Sequence, residues 1–457
     1  MTEHEIQIFL WEQRDNWENL IEEVKFPDNY VFDNNEEAIY SLTPDKVLYN
    51  DLINRLQWLY ENIHGIRLFG CEVPLRKEGD STIRADLLAL IEGVSGITII
   101  EIKKSNQTER QAFTELFAYA SHLSAIFPTM SKDDIHYVLI SPMQERIVRE
   151  ATIHSFLFDE KPVFAFIPVW ENDDITTLKL RPWIPQLEDL ISVTEASFSQ
   201  KNFEVFKITW DFIDGWNAAA GGNPDDHMVA RMNDISGYAA QLMEAKGVHG
   251  FVYTHQSYPE LPFLPNAIVI VAINPFKIAK DHLLLKRGIR ANKLDEIGDE
   301  EINLMDIIPE LKNKAEEVNK QNEYFYDLAS SWPNTMHTIA FDTVEIMTHN
   351  HQNIKLEQGW GGMTWDEYQI NILEDVLGFN FSIKATGLLR KLYTGYTKAD
   401  FDYILKFGYH MHPRLAHGDF PVFVVDYFKH QIYFREFLRS IFDAYKDILD
   451  EFDNNEN

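Results

Sequence analysis

The chain has 457 residues, 45% of them hydrophobic, a single cysteine and a formal net charge of −31 at pH 7. That length supports two or three domains with large cores, while the lone Cys71 excludes an intramolecular disulfide and no apolar run approaches the roughly 20 residues of a membrane-spanning helix. The charge excludes a broad basic surface for gripping nucleic acid, and the start MTEHEIQIFLWEQRDNW lacks a basic, apolar leader, so a cytoplasmic location is expected.

Residues 1–40 read as an acidic helical arm carrying Ile6, Phe9, Leu10, Trp17, Leu20, Ile21 and Val24, followed by an Asn/Asp/Glu-rich turn at 33–37. Packing on a neighbouring domain or reaching a partner are its two expected roles. Leu48, Leu52, Leu56, Leu59 and Ile63 then recur at helical spacing over 44–63, and residues 66–75 read as a strand. Two Leu/Ile-rich arms follow, 83–91 and 96–104, joined by Glu92, Gly93, Val94 and Ser95. With Ile91 facing Gly96, pairing along the arms brings Asp86 opposite Glu101, at a Cβ separation of roughly 4.5–5.5 Å. Lys103 projects on the same side, and Ile100 and Ile102 point the other way into a core.

Two carboxylates held that close repel each other, and a hard divalent cation removes the conflict. Mg²⁺ prefers one or two carboxylates with water and a phosphate completing its shell, and Mn²⁺ is the alternative ion. A lysine ammonium alongside can hold or help deprotonate an attacking water. Beyond the hairpin, Asn106 and Glu109 have the spacing of a capping box. They open a helix with Phe113, Leu116, Phe117, Ala120 and Leu123 on one face, before a strand at 136–140, a helix at 144–156 and a strand at 163–170.

This arrangement resembles the PD-(D/E)XK nuclease superfamily, in which an acid on one strand precedes Glu-x-Lys on the next. Asp86, Glu101 and Lys103 match, although Ala85 stands where the name-giving proline often sits. The resemblance covers residues 41–142 and continues through about 185. It implies a restriction-endonuclease-like αβββαβ core with a mixed sheet, and hydrolysis of phosphodiester bonds in DNA ahead of RNA, in restriction, repair or phage defence. It further implies Mg²⁺ or Mn²⁺ on Asp86, Glu101 and the Ile102 carbonyl, with Lys103 positioning water. RecB-like members carry Gln-x-x-x-Tyr on the following helix. Here Glu115-x-x-x-Tyr119 stands with Gln111 one turn earlier, which places Gln111 near the metal. Asp51 and Glu61 are acids available from the first helix.

Residues 45–145 hold ten Lys/Arg against fourteen Asp/Glu, so most of the negative charge lies elsewhere. Arg76, Lys77, Arg84, Lys103, Lys104 and Arg110 offer a local phosphate track. The remaining acidity supports a rival reading, a catalytically inert nuclease fold that binds a protein partner.

Strand 176–183 and Pro185 close this region, and the polar stretch 192–202 reads as a linker. A second α/β unit over 186–275 is expected from a strand at 205–213, a break at 218–226, a helix at 227–246, and strands at 248–254 and 267–273. Residues 276–457 read as mainly helical, with helices at 302–308, 311–331, 365–377, 381–393, 398–409 and 432–452. The last carries an aromatic stripe from Phe434 to Phe452 that suits a core, a homodimer or a protein partner. His349 with His351, and His410 with His412, His417 and Asp419, form a rival transition-metal pattern, but without the helical spacing of a hydrolytic zinc site. Gly359 to Gly362 lack the Lys-Ser/Thr of a phosphate loop and read as a turn.

Overall fold

A computed structural model describes residues 2–32, 42–75, 83–104, 106–159, 162–190, 197–198, 202–211, 226–256, 266–309, 311, 321–348, 353–356, 363–364 and 383–408. The chain divides into two compact units, Met1–Asn29 with Leu48–Leu190, and Tyr30–Val47 with Ile191–Asn457. This cuts the chain differently from the expected four segments: residues 1–29 join the hairpin's unit, and 276–457 shares a unit with nearly all of 186–275.

In the first unit, helix α1 (Glu3–Glu12) precedes α2 (Pro44–Ile63). Six strands then form one mixed sheet in the order β1 (Ile66–Leu75), β2 (Ile83–Ile91), β3 (Ile97–Ile102), β4 (Ile135–Ile140), β5 (Val163–Glu171) and β6 (Asp174–Pro182). The outer pairs β1–β2, β2–β3 and β5–β6 are antiparallel, while β3–β4 and β4–β5 are parallel. Parallel pairing requires long crossovers, which α3 (Asn106–Ile126) and α4 (Arg146–Leu157) supply. Helix α3 starts at Asn106, so Asn106 occupies the first turn and not the cap.

The Leu and Ala positions of α3 explain where it lies. Ala112, Leu116, Tyr119, Ala120 and Leu123 pack with Ile99, Leu139 and Ala165 in one buried core. Ile100 and Ile102 are buried too, at 0% and 1% exposure, and each such side chain removed from water contributes roughly 1.5–3 kcal/mol. Helix α2 lines a cavity with Ile91, Val138 and Phe164 through Trp58, Leu59 and Ile63. The sheet is thus sandwiched between helices.

The turn into β3 depends on Gly96. Its φ is +110°, and a Cβ there would sit 2.0 Å from the Asp134 carbonyl oxygen. No side chain fits that approach.

In the second unit β7 (Phe203–Trp210), β8 (Gly250–Gln256) and β9 (Asn266–Ile273) pair antiparallel in the order β7-β9-β8. Helix α5 (Asp226–Ala245) and the helix Pro333–Met347 share a core with them. Residues beyond 276 are less purely helical than expected. Strands β10 (Ile354–Leu356) and β11 (Met363–Thr364) pair with β7, and β12 (Lys384–Thr386) pairs with β8. The helix expected at 381–393 therefore begins only at Gly387, whose φ is +55°. The Thr386 hydroxyl bonds the Val248 and Gly250 carbonyls and ties that segment to the sheet edge. It then runs unbroken to Phe407, through most of the separate helix expected at 398–409. Likewise the described helix within 311–331 starts at Gln321. The helices expected at 365–377 and 432–452, both histidine groups and the glycine cluster lie outside the described residues. Among the described residues no helix is long and apolar enough to cross a membrane.

Candidate active site

The hairpin register is the one the turn dictates. Leu87 pairs with Ile100, Leu88 with Ile99 and Ala89 with Thr98, which carried one step further sets Asp86 beside Glu101. The ladder stops at that step. Instead of simply flanking Glu101, the Asp86 carboxylate reaches the next residue and accepts the Ile102 N–H at 2.9 Å.

On its other edge β2 pairs with β1, whose register shifts between Leu68 and Gly70. Pairing with β1 goes from Cys71–Leu87 to Val73–Ala85, passing over Glu72 and Asp86. Glu72 has φ +48°, the left-handed region that costs a non-glycine residue on the order of 1–2 kcal/mol. Ala85 and Leu88 both enter the core under α3, although they are three residues apart and a regular strand alternates by two. The Asp86 carbonyl accepts a bond from the Gln7 side chain of α1 at 3.0 Å.

Glu101 and Lys103 leave β3 on the α3 side. Both are buried, at 1% and 7% exposure, and the Lys103 ammonium stands 2.5 Å from Glu101 Oε1 and 2.5 Å from Glu115 Oε2 on α3. Cys71 is half-buried in β1, where burial raises its thiol above the ordinary range.

Burial dominates the electrostatics of the site. Burial pushes Asp86 up to about 6, opposed by the Ile102 N–H and Lys103 and reinforced by Glu115 and Glu3. Burial likewise raises Glu101 to about 9, with the Asp86 charge and the Glu115 carboxyl adding to the rise and Lys103 opposing it. Desolvation works against the Lys103 ammonium, yet Glu101 and Glu115 hold it above its ordinary range. For Glu115 burial is outweighed by its contacts with Glu101 and Lys103, which carry it below the ordinary value. The Tyr119 phenol is raised by burial and then by the surrounding acids.

Asp86, Glu101 and Lys103 are brought together, and the Ile102 side chain is buried while its N–H serves Asp86. Gln111 is exposed on α3. Among the described residues it is Glu115, one turn later, that reaches Lys103. Arg84 is exposed and pairs with Glu72, and Arg76 and Lys77 lie outside the described residues. Gln7 and Glu3 of α1 were invisible to local pattern reading.

The donor set is of the kind a hard divalent cation takes: carboxylate oxygens that outnumber the cations, gathered around Lys103. As placed, Glu101 and Glu115 turn toward Lys103, and among the described residues no three His, Cys, Asp or Glu side chains are grouped as a metal site. No protein-family model, curated protein or solved structure matches the chain.

Proposed function

We propose that the first unit is a metal-dependent nuclease of the PD-(D/E)XK kind, with a restriction-endonuclease-like core, that hydrolyses phosphodiester bonds in DNA ahead of RNA. The observation that carries this reading is the convergence of Asp86, Glu101 and Lys103 from adjacent strands, with Glu101 and Lys103 buried and more acid than base around them. Asp86, Glu101 and the Ile102 carbonyl would hold Mg²⁺ or Mn²⁺, which supplies charge stabilisation at the scissile phosphate and a lower pKa for bound water. Asp86 is oriented by the Ile102 N–H. Lys103 holds the hydrolytic water with an ammonium kept charged by Glu101 and Glu115, and Glu115 limits its freedom. The acidic remainder keeps non-specific DNA binding weak and salt-sensitive.

The purified protein should nick DNA only with Mg²⁺ or Mn²⁺, and Lys103→Ala and Asp86→Ala should abolish nicking while remaining folded. Unchanged cleavage in both variants refutes the reading. A panel of single-stranded DNA, double-stranded DNA and RNA assigns the substrate.

A second reading has its own observation: most of the chain's formal net charge of −31 lies outside residues 45–145. In that case the protein is an inert scaffold whose acidic surface binds a protein. Mn²⁺ titration separates the two, because only the nuclease binds the ion through Asp86 and Glu101.

A further inference from the structure

The β2–β3 ladder ends at Leu87–Ile100, one residue short of Asp86, while β3 stays paired with β4 through Ile102 and the Lys103 N–H donates to the Ile140 carbonyl. Lys104 lies beyond the end of β3 at Ile102. Gln7 donates from Nε2 to the Asp86 carbonyl at 3.0 Å, and Glu3, one turn earlier on the same helix face, accepts the Lys104 N–H at 3.0 Å. Gln7 is 5% exposed, between Ile6 and Leu10 at 0%. The helix start is fixed by a capping box in which Thr2 and Glu5 exchange bonds.

Such a buried glutamine is costly unless bonded. Its donor is aimed at the backbone carbonyl of Asp86 itself. Glu3 fixes the chain just past Lys103. The two contacts bracket the residues that must converge on the ion.

We infer that α1 is a working part of the site, in which Gln7 and Glu3 are positioning residues that fix Asp86 and Lys103 relative to each other. The inference rests on the nuclease reading for its catalytic meaning, and its structural content is tested apart from it.

The experiment compares the full chain with Gln7→Met, which keeps the packing volume and loses the donor, and with Ile6→Val, which loosens α1 without touching a hydrogen bond. Amide exchange at Ile102, whose N–H is held by Asp86, is measured without metal, and Mn²⁺ affinity is measured by titration. Gln7→Met should speed Ile102 exchange about threefold to tenfold, the range of one net hydrogen bond, and weaken Mn²⁺ binding by a similar factor. Ile6→Val should lower the melting temperature and leave both quantities unchanged. Wild-type exchange at Ile102 in Gln7→Met, or an equal effect in Ile6→Val, overturns the positioning role. Absence of Mn²⁺ binding in the wild-type chain instead overturns the nuclease reading, with the exchange result still deciding whether α1 fixes Asp86.

Discussion

Replacing Lys103 by methionine removes the only cation in contact with both Glu101 and Glu115 among the described residues. At an effective dielectric of about 20, a full ion pair at 2.5 Å is worth about 7 kcal/mol before desolvation. Burying the ammonium returns several kcal/mol of that. Glu115 is 36% exposed in its side chain, so its share is screened by water. Glu101 has an escape in keeping its proton, since burial already raises it to about 9. These offsets place the loss at the lower end of the range for a broken buried pair, about 3 kcal/mol. Urea denaturation in chelator measures it, and the penalty should grow as pH rises and the Glu101 proton becomes harder to retain. The same substitution removes the competitor for the carboxylates, so Mn²⁺ should bind at least about tenfold more tightly, equivalent to about 1.4 kcal/mol, and restore much of the lost stability, while cleavage stays abolished. A Lys103→Met protein as stable as wild type at alkaline pH, with unchanged Mn²⁺ affinity, would refute this account of the site.

Two other outcomes follow from the same geometry. In metal-free protein, Glu101 binds its proton more tightly folded than unfolded, because burial raises it from the ordinary 4.5 to about 9. The native state therefore holds more protons across that window, the stability slope is negative, and stability present below 4.5 is lost progressively as pH climbs toward about 9. Glu101→Gln should flatten the slope in denaturation series at acid, neutral and alkaline pH, and a slope unchanged in that variant would assign it to another group. Gly96→Ala forces a methyl to 2.0 Å from the Asp134 carbonyl at φ +110°, so it should cost at least about 2 kcal/mol by thermal unfolding. A near-neutral result there would show that the turn into β3 can relax.

The parts of the fold legible in the sequence are those set by neighbours in the chain. Helix α2 and strands β1 and β2 have the boundaries that leucine spacing and alternating Ile/Leu runs indicate, and the short turn set the hairpin register. What resisted reading depends on distance. Gln111 and Glu115 share a face of α3, and only the angle at which that helix crosses β3 decides that Glu115 meets Lys103. The three-residue strand β12 sits at the head of a helical pattern, where one edge pairing with β8 outweighs local periodicity. The unusual backbone angle falls on Glu72, in the neighbouring strand between Gly70 and Pro74, so nothing in β2 itself announces what happens beside Asp86.

The bonds around Asp86 also differ in how far they reach along the chain, and this orders the site's assembly. The link to Ile102 spans 16 residues, that to Gln7 spans 79, and Glu3 to Lys104 spans 101. Closing the longer loop to Gln7 in place of the hairpin loop adds about 1.4 kcal/mol of chain entropy. The hairpin therefore forms first, and α1, although synthesised first, waits for more than a hundred residues to emerge before it can dock. Pulse-labelled exchange during refolding should show the Ile102 amide protected ahead of Lys104, so that nascent or partly folded chains hold the acids in an unfinished arrangement until α1 arrives.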